Sequence, residues 1–299
     1  MAALMACRWR SCFVLTSILS AHSGVPATEV VPVRMVDSLP VIEVQLGAIK
    51  ADFLLDTGGQ LAITVPPPLI NSATEVMLGT DQRKMGDAAG NVFMVQSLVA
   101  TSVKLGSVEL GPVDGLVNHK WGLKFGAGDA PEVTKKGVLG LGVLSSRNVL
   151  LDLGGGRLAL FERGGQDRPD LTGWRQIPFT YDKAGVVIQI SVNGATGAMS
   201  LDTAATTSVV SKSAALLAAT ASPCRGQPPS TQFCGMKEFK QVRAGDGVIG
   251  SLTAAVVELK GVPFDGLLGI DFFLKRTVFI DFDAKTLFVR EAARSGGVR

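Results

Sequence analysis

The stretch that decides the fold is Phe53-Leu54-Leu55-Asp56-Thr57-Gly58, where an apolar strand ends in an aspartate and a turn. A related stretch, Met199-Ser200-Leu201-Asp202-Thr203-Ala204, occurs 146 residues later. An apolar run ending in a glycine turn precedes each stretch, from Val41 to Gly47 and from Val187 to Gly194. Each half of the chain therefore predicts a strand, a glycine turn, a second strand and an Asp-Thr turn.

A second pair of motifs follows the first. Val138-Leu139-Gly140 precedes an apolar run that ends at Asp152, and Leu267-Leu268-Gly269 precedes one that ends at Asp281, with every residue offset by 129. Two motifs repeated in the same order indicate a duplicated domain. The polar, turn-rich residues between the copies predict a linker. We expect a signal peptide over 1–27, an N-terminal lobe over 28–162, a linker over 163–173, a C-terminal lobe over 174–291 and a flexible tail over 292–299.

The composition favours an all-β globular protein. Of the 299 residues, 46% are hydrophobic and 18% are charged, which excludes disorder for most of the chain. The apolar residues stand in short Val, Leu and Ile runs, separated by many of the 35 glycines, and this pattern is typical of short strands. No interior stretch is long and apolar enough to predict a membrane-spanning helix.

The N-terminus has the pattern of a secretory signal peptide. Arg8 and Arg10 precede an apolar stretch from Cys12 to Ala21, and small residues follow up to Ala27. We therefore expect an exported protein, periplasmic or secreted, with no stable membrane insertion after cleavage. Cleavage after Ala27 removes two of the 29 basic residues and none of the 26 acidic ones, so the net charge falls from +3 to +1. This small charge argues against nucleic acid as a partner.

The remaining cysteines and histidine limit the available chemistry. Cys224 and Cys234 could form a disulfide in an oxidising compartment, or they could remain two free thiols. His119 is the one histidine after the signal peptide and has no metal-binding or Ser-His context, so we interpret it as a surface residue. No phosphate-binding glycine loop is present in the sequence. We expect no metal ion and no cofactor.

Asp56 and Asp202 are the candidate catalytic residues. Carboxylates are rarely buried unless they are paired or hydrogen-bonded, so an aspartate straight after an apolar strand is unusual. If the two lobes pack about a pseudo-twofold axis, the two turns meet and the carboxyl groups face each other. Two carboxyl groups in contact share one proton, because like charges at that separation cannot both ionise. Such a pair can supply an acid and a base together.

These motifs resemble those of the retropepsin-like and pepsin-like aspartic proteases. Leu55-Asp56-Thr57-Gly58 with Val138-Leu139-Gly140 is similar to the Asp-Thr-Gly and hydrophobic-hydrophobic-Gly motifs of that family, and the likeness covers both lobes. The resemblance implies an all-β fold of two tandem β-barrel lobes related by a pseudo-twofold axis, with a cleft between them and a flap hairpin over bound peptide. It also implies catalytic roles for Asp56 and Asp202, and supporting roles for Thr57, Gly58, Thr203, Gly140 and Gly269.

Two features of the sequence depart from the family pattern. Ala204 stands where the family has glycine in the second motif, and Gly59 follows the first motif where alanine or serine is usual. Alanine resists positive φ and adds a methyl group where backbone approaches closely, so we expect some strain there, which leaves open whether Asp202 is displaced or idle. The flap is predicted at the turn Gly86-Asp87-Ala88-Ala89-Gly90, which lacks the tyrosine of pepsin-like flaps.

Two functions stay open on this reasoning. The first is an exported, monomeric aspartic-type endopeptidase, which hydrolyses a peptide or protein substrate with a water activated between Asp56 and Asp202. The second is a catalytically weak or inactive peptide-binding module of the same fold, which Ala204 motivates. A variant of the first pairs N-terminal lobes in a homodimer and makes Asp202 dispensable. The separation of the two carboxyl groups distinguishes the enzyme from the binding module.

Overall fold

The computed structural model describes residues 28–58, 60–86, 90–119, 136–218, 223–226, 228 and 231–292. The expected signal peptide, Gly59, Asp87 and the tail from 293 onward lie outside these residues. The described chain is nearly all β and its strands form two large sheets. No helix among the described residues is long and apolar enough to cross a membrane.

The N-terminal half contains thirteen strands and two short helices in the described residues. In chain order they are β1 Thr28–Pro32, β2 Arg34–Val36, β3 Leu39–Leu46, β4 Ile49–Asp56, β5 Ile63–Val65, α1 Pro67–Ser72, β6 Val76–Gly86, β7 Val92–Ala100, β8 Val103–Leu105, β9 Val108–Glu109, β10 Val113–Val117, β11 Gly137–Gly140, α2 Leu141–Leu144, β12 Arg147–Asp152 and β13 Arg157–Glu162.

The C-terminal half repeats this arrangement with fewer strands. Its elements are β14 Arg175–Asp182, β15 Gly185–Val192, β16 Ala195–Leu201, β17 Val209–Ser211, α3 Ala215–Ala218, β18 Phe233–Ala244, β19 Gly247–Val257, β20 Gly266–Leu268, α4 Ile270–Phe273, β21 Arg276–Asp281 and β22 Thr286–Glu291.

The same strand crossing occurs in both lobes. In the N-terminal lobe β11 runs parallel to β4 and antiparallel to β5, so it lies between them. In the C-terminal lobe β20 lies in the same way between β16 and β17. Each glycine-ended strand is therefore the neighbour of the strand that leads to an aspartate. The same arrangement in both halves agrees with a duplicated domain, and the expectation of an all-β, two-lobed chain is confirmed.

A sheet shared by both lobes holds them together. Its twelve strands follow the order β1-β13-β12-β21-β22-β14-β15-β16-β20-β17-β19-β18, and the pairing of β12 with β21 joins the two halves. Phe279 in β21 is fully buried there and its ring packs edge-on against Phe161. Burial of a side chain of this size contributes about 1.5–3 kcal/mol, so the junction between the lobes is a true core.

The aspartates at the ends of the joining strands, Asp152 and Asp281, are turn residues. The Oδ1 atom of Asp152 accepts a hydrogen bond from the Gly155 amide at 3.1 Å. The Oδ1 atom of Asp281 accepts one from the Ala284 amide at 2.9 Å. These short-range bonds are how aspartate stabilises a turn, and they give neither residue a part in the site described next.

The two cysteines form the disulfide Cys224–Cys234 rather than two free thiols. It joins the segment before β18 to the start of that strand, in the C-terminal lobe.

Candidate active site

The two Asp-Thr turns meet at the boundary between the lobes. Asp56 is the last residue of β4, and Asp202 follows the last residue of β16. The Thr57 and Thr203 side chains are fully buried beneath them. Each threonine amide donates to the hydroxyl of the other threonine at 3.0 Å. The hydroxyl groups in turn donate to the carbonyl oxygens of Leu201 at 3.1 Å and Leu55 at 2.6 Å.

These four bonds bring the two carboxyl groups together. The carboxyl groups of Asp56 and Asp202 are close enough to interact, since Asp56 helps to raise the pKa of Asp202. The Oδ1 atom of Asp56 accepts the Gly58 amide at 2.8 Å. The Oδ1 atom of Asp202 accepts the amides of Ala204 at 2.8 Å and Ala205 at 3.1 Å. Backbone amides therefore fix one oxygen of each carboxyl group, and the two turns hold the carboxyl groups of the two lobes next to each other.

The electrostatics of the pair follow from burial and from like charge. Burial first, and then the neighbouring Asp56 carboxylate, raise the pKa of Asp202 to about 8, although its two backbone hydrogen bonds act in the opposite direction. Near neutral pH the pair therefore holds one proton. One carboxyl group is then ready to donate a proton and the other to accept one.

Gly58 is required because Asp202 occupies the space beside it. A Cβ atom built on Gly58 would lie 2.4 Å from the Cγ atom of Asp202. No real Cβ contact is that short, so any side chain at this position must push the Asp202 carboxyl group away. Gly58 lies outside the positive-φ region. The constraint on it is therefore the close approach of the opposite carboxyl group and not the backbone conformation.

Ala204 is accommodated without the strain that the sequence predicted. It is absent from the residues with positive φ among those described, so that expectation was wrong. Its methyl group packs against an apolar cluster of the N-terminal lobe, formed by Leu39, Val41, Leu54 and Val138. The pseudo-twofold symmetry is thus only approximate at the site. The first turn needs the glycine Gly58, whereas in the second turn the methyl group of Ala204 packs against apolar side chains of the other lobe.

The two matched glycines of the second motif pair, Gly140 and Gly269, lie directly behind the turns. Gly140 is opposite Asp56 in the β11–β4 pairing, and its amide donates to the Ala62 carbonyl at 3.0 Å. A Cβ atom on Gly269 would fall 2.5 Å from the carbonyl carbon of Thr207. Backbone therefore packs on backbone at both positions, which leaves no room for a side chain at Gly269.

A hydrogen-bonded clamp in the C-terminal lobe was missed by the reasoning from sequence. The Oδ1 atom of Asp271 in α4 accepts the Ser208 amide at 2.7 Å and the Ser208 hydroxyl at 2.8 Å. The same hydroxyl accepts the Gly269 amide at 3.0 Å. The corresponding positions in the N-terminal lobe are Ala62 and Gly142. The departure of Asp271 from the repeat was visible in the sequence, but its partner was not.

The predicted flap is a hairpin of β6 and β7. Its strands pair as far as Gly86 with Val92, and Gly90 has a φ of +85° at the tip. Asp87 lies outside the described residues. A Cβ atom on Gly90 would lie 3.0 Å from the Cβ atom of Lys260, so the tip touches the C-terminal lobe. The hairpin therefore spans from one lobe to the other.

A second contact involves the strand of the hairpin itself. The rings of Phe93 and His119 lie 4.5 Å apart. His119 is exposed, as expected for a surface residue, but this ring contact was not foreseen. It places the end of β10 against the flap.

The equivalent hairpin of the C-terminal lobe, β18 with β19, is folded back on its own lobe. The end of β18 pairs with β15, with Ala244 opposite Ile190. The disulfide Cys224–Cys234 holds the start of the same strand. The β18–β19 hairpin is therefore tied to its own lobe, whereas the tip of the β6–β7 hairpin contacts Lys260 of the C-terminal lobe.

Comparison with known proteins supports this architecture. No family model matches the chain, and no curated protein matches it. Among solved structures, the aspartic proteinase from Irpex lacteus aligns with a TM-score of 0.56 at 13% identity, covering 91% of this chain and 99% of the other. The basic 7S globulin from soybean aligns with a TM-score of 0.55 at 14% identity, covering 91% and 97%. At these identities the likeness establishes the fold, which is that of the pepsin-like aspartic proteases.

The two similar structures have different names, one a proteinase and the other a globulin. The fold is therefore shared by proteins that are not all called proteinases, and it does not by itself assign an activity. The activity depends on the carboxyl pair and its surroundings.

Proposed function

We propose that the protein is an aspartic-type endopeptidase that hydrolyses peptide bonds with Asp56 and Asp202. The observation that carries this proposal is the joining of the two Asp-Thr turns by paired threonine hydrogen bonds, which brings the two carboxyl groups into interaction while backbone amides hold each of them. A pair with one shared proton is the minimum needed for acid and base catalysis on a peptide bond. No further protein side chain is required for that chemistry.

In the proposed reaction the ionised carboxyl group accepts a proton from a water molecule, whose oxygen attacks the peptide carbonyl carbon. The protonated carboxyl group donates its proton to the carbonyl oxygen, and a tetrahedral diol forms. The C–N bond then breaks as the protonated carboxyl group gives its proton to the leaving nitrogen and the other carboxylate accepts a proton from one diol hydroxyl, so the pair is again singly protonated. The two groups titrate as a unit, so we assign the pair, and not either residue alone, the roles of acid and base.

The alternative is a peptide-binding module that lacks catalysis. Ala204 motivated it, because strain in the second turn would displace Asp202. Ala204 lies outside the positive-φ region and its amide still binds Asp202 at 2.8 Å. Both observations support a second aspartate that is held in place, so we favour the endopeptidase over the binding module.

We further propose that the enzyme acts as a monomer. Its substrate, a peptide or protein, binds between the lobes, under the hairpin with Gly90 at its tip. Both aspartates come from one chain, so no homodimer is needed to complete the pair. Export to the periplasm or outside the cell is proposed from the N-terminal sequence pattern, and N-terminal sequencing of the mature protein tests it.

The experiment is hydrolysis of a peptide library by the purified protein, with and without pepstatin. Asp56→Asn and Asp202→Asn should each abolish cleavage, while Asp246→Asn, a change in an exposed turn of the C-terminal lobe, should leave it intact. Unchanged cleavage in either active-site variant contradicts the proposal. Peptide binding without hydrolysis by the unaltered protein would favour the binding module instead.

A further inference from the structure

A small cavity in the C-terminal lobe is lined by three arginines. Its volume is about 200 Å³, and Arg175, Arg276, Arg290 and Glu291 contribute to its wall. Three guanidinium groups against one carboxylate leave a surplus of two positive charges. The arginines come from β14, β21 and β22, so rigid strands and not loops hold them together.

Arg276 is the buried member of this group. It is only 6% exposed, yet it forms no ion pair with a carboxylate among the described residues. Two of its donors reach carbonyl oxygens, that of Ile249 at 2.5 Å and that of Phe272 at 3.4 Å, and the guanidinium lies 4.6 Å from the centre of the Phe272 ring. Burial lowers the pKa of Arg276, although Glu291 and Asp271 act in the opposite direction. These contacts compensate the buried charge of Arg276 only in part, so a negatively charged ligand beside the guanidinium is favoured.

Two glycines of β19 make room for the arginines. A Cβ atom on Gly247 would lie 2.1 Å from the Nη1 atom of Arg175, and one on Gly250 would lie 3.1 Å from the Nη2 atom of Arg276. The guanidinium groups therefore rest directly on the strand backbone. Arg290 is held by a different contact, because its guanidinium lies over the ring of Trp174, 4.5 Å from the ring centre.

We propose that this cavity binds a small oxyanion, such as phosphate, sulfate or a carboxylate. Guanidinium groups offer planar pairs of N–H donors that match two oxygens of such an anion. The volume is enough for one small oxyanion and a few water molecules. The site shares no residue with the carboxyl pair, so it stands whether or not the protein is a protease.

The test is titration of the full mature protein with sodium phosphate, sulfate or acetate, against chloride at equal ionic strength. Trp174 lies under Arg290, so its fluorescence should report binding, and the melting temperature should rise in a saturable way. Tighter binding of phosphate and sulfate than of acetate identifies a tetrahedral anion, and the reverse identifies a carboxylate. No saturable change with any of the three overturns the proposal.

Variants separate this site from general surface charge. Arg175→Ala and Arg290→Met should each weaken binding about tenfold, because each removes charge-assisted donors. Arg276→Lys keeps the buried charge but loses the planar donor pair, and should weaken binding similarly in a folded protein. Arg157→Ala is the matched control, since Arg157 lines a neighbouring cavity beside Trp174 and not this one. Equal affinity in all four variants would contradict the assignment.

Discussion

The amide of Thr57 donates a 3.0 Å hydrogen bond to the hydroxyl of Thr203, and the amide of Thr203 donates one of equal length to the hydroxyl of Thr57. Each hydroxyl thus accepts from the opposite lobe and also donates to a carbonyl oxygen of the opposite lobe. All of these atoms are buried. The position of the two aspartates therefore depends on bonds between the lobes as much as on bonds within them.

Replacing either threonine by valine should destabilise the protein by about 3 kcal/mol. The change leaves a buried amide and a buried carbonyl of the other lobe without partners, and each unsatisfied group costs about 1–3 kcal/mol. Thr57→Ser and Thr203→Ser keep the hydroxyl and should lose about 1 kcal/mol or less. Urea unfolding measures both. Equal losses for the valine and serine variants would show that the hydroxyl bonds do not hold the lobes.

The pH dependence of stability should carry the signature of the carboxyl pair. The pKa of Asp202 is raised from its ordinary value of 3.8 to about 8, so between these values the folded protein holds a proton that the unfolded chain releases. The stability that this bound proton contributes should be fully present below about pH 4 and should be lost as the pH rises towards 8. The slope should reach at most about 1.4 kcal/mol per pH unit.

Asp202→Asn should flatten this slope, because the variant has no carboxyl group at 202 to hold the extra proton. Asp246→Asn, in an exposed turn, should leave it unchanged. Unfolding free energies at several pH values between 4 and 8 give the comparison. An identical slope in Asp202→Asn and in the unaltered protein would mean that the pair does not share a proton.

Much of this site was predictable from the sequence because the duplicated motifs mark equivalent positions in the two halves. Asp56 and Asp202 occur in matched contexts, and a twofold arrangement brings matched positions together. The strain expected at Ala204 could not be judged in that way, because it depended on φ and on the apolar cluster of the other lobe. The Asp271 clamp broke the repeat, so comparing the two halves revealed the difference but not the partner, Ser208.

The same limit applies to contacts between segments that are distant in the sequence. The flap hairpin was predicted from its turn residues, which are local. Its contact with Lys260 depends on how the two lobes pack, and the grouping of Arg175 with Arg276 depends on how strands distant in the sequence come together within the C-terminal lobe. No periodicity or spacing in the chain encodes these approaches.

Asp283 should stabilise the junction of the lobes on the acid side. Hydrogen bonds from Arg163 at 2.8 Å, from the Gly164 amide at 2.9 Å and from Asn148 at 2.9 Å lower its pKa to about 2. Its contribution is therefore present above about pH 4 and is lost as the pH falls towards 2. Asp283→Asn should cost about 1 kcal/mol at pH 5, after allowance for its exposure to solvent.

The difference between Asp283→Asn and the unaltered protein should shrink to a small fraction of its pH 5 value near pH 2, where the Asp283 carboxyl group is about half protonated. Denaturant unfolding at pH 2, 3 and 5 measures it, with Asp246→Asn as the exposed control. A difference that persists unchanged at pH 2 would show that the loss comes from packing and not from the charge.

The clamp of Asp271 on Ser208 should affect turnover more than substrate binding. The double change Ser208→Ala with Asp271→Gly gives the C-terminal lobe the residues of the N-terminal one, Ala62 and Gly142. It removes the bonds that tie the turn of Asp202 to α4. We expect kcat to fall about tenfold, with KM changed less than twofold, because the turn positions a group that acts in the transition state.

Asp271→Asn keeps one acceptor oxygen and should recover part of the lost turnover. Steady-state kinetics on one peptide substrate compares the three proteins, after urea unfolding has shown that each is folded. A rise in KM at constant kcat would place the effect in substrate binding and would contradict a positioning role for the clamp.

The two turns should respond in opposite ways to exchange of glycine and alanine. Gly58→Ala places a methyl group where the Asp202 carboxyl group lies, because a Cβ atom there would be 2.4 Å from Cγ. The carboxyl group must move, and a displacement near 1 Å should lower kcat about a hundredfold. Ala204→Gly removes a methyl group from the apolar cluster of the other lobe and should cost about 1 kcal/mol in stability with little change in kcat. Measuring kcat and the free energy of unfolding for both variants separates the effects, and similar losses of kcat would mean that the two turns are equivalent after all.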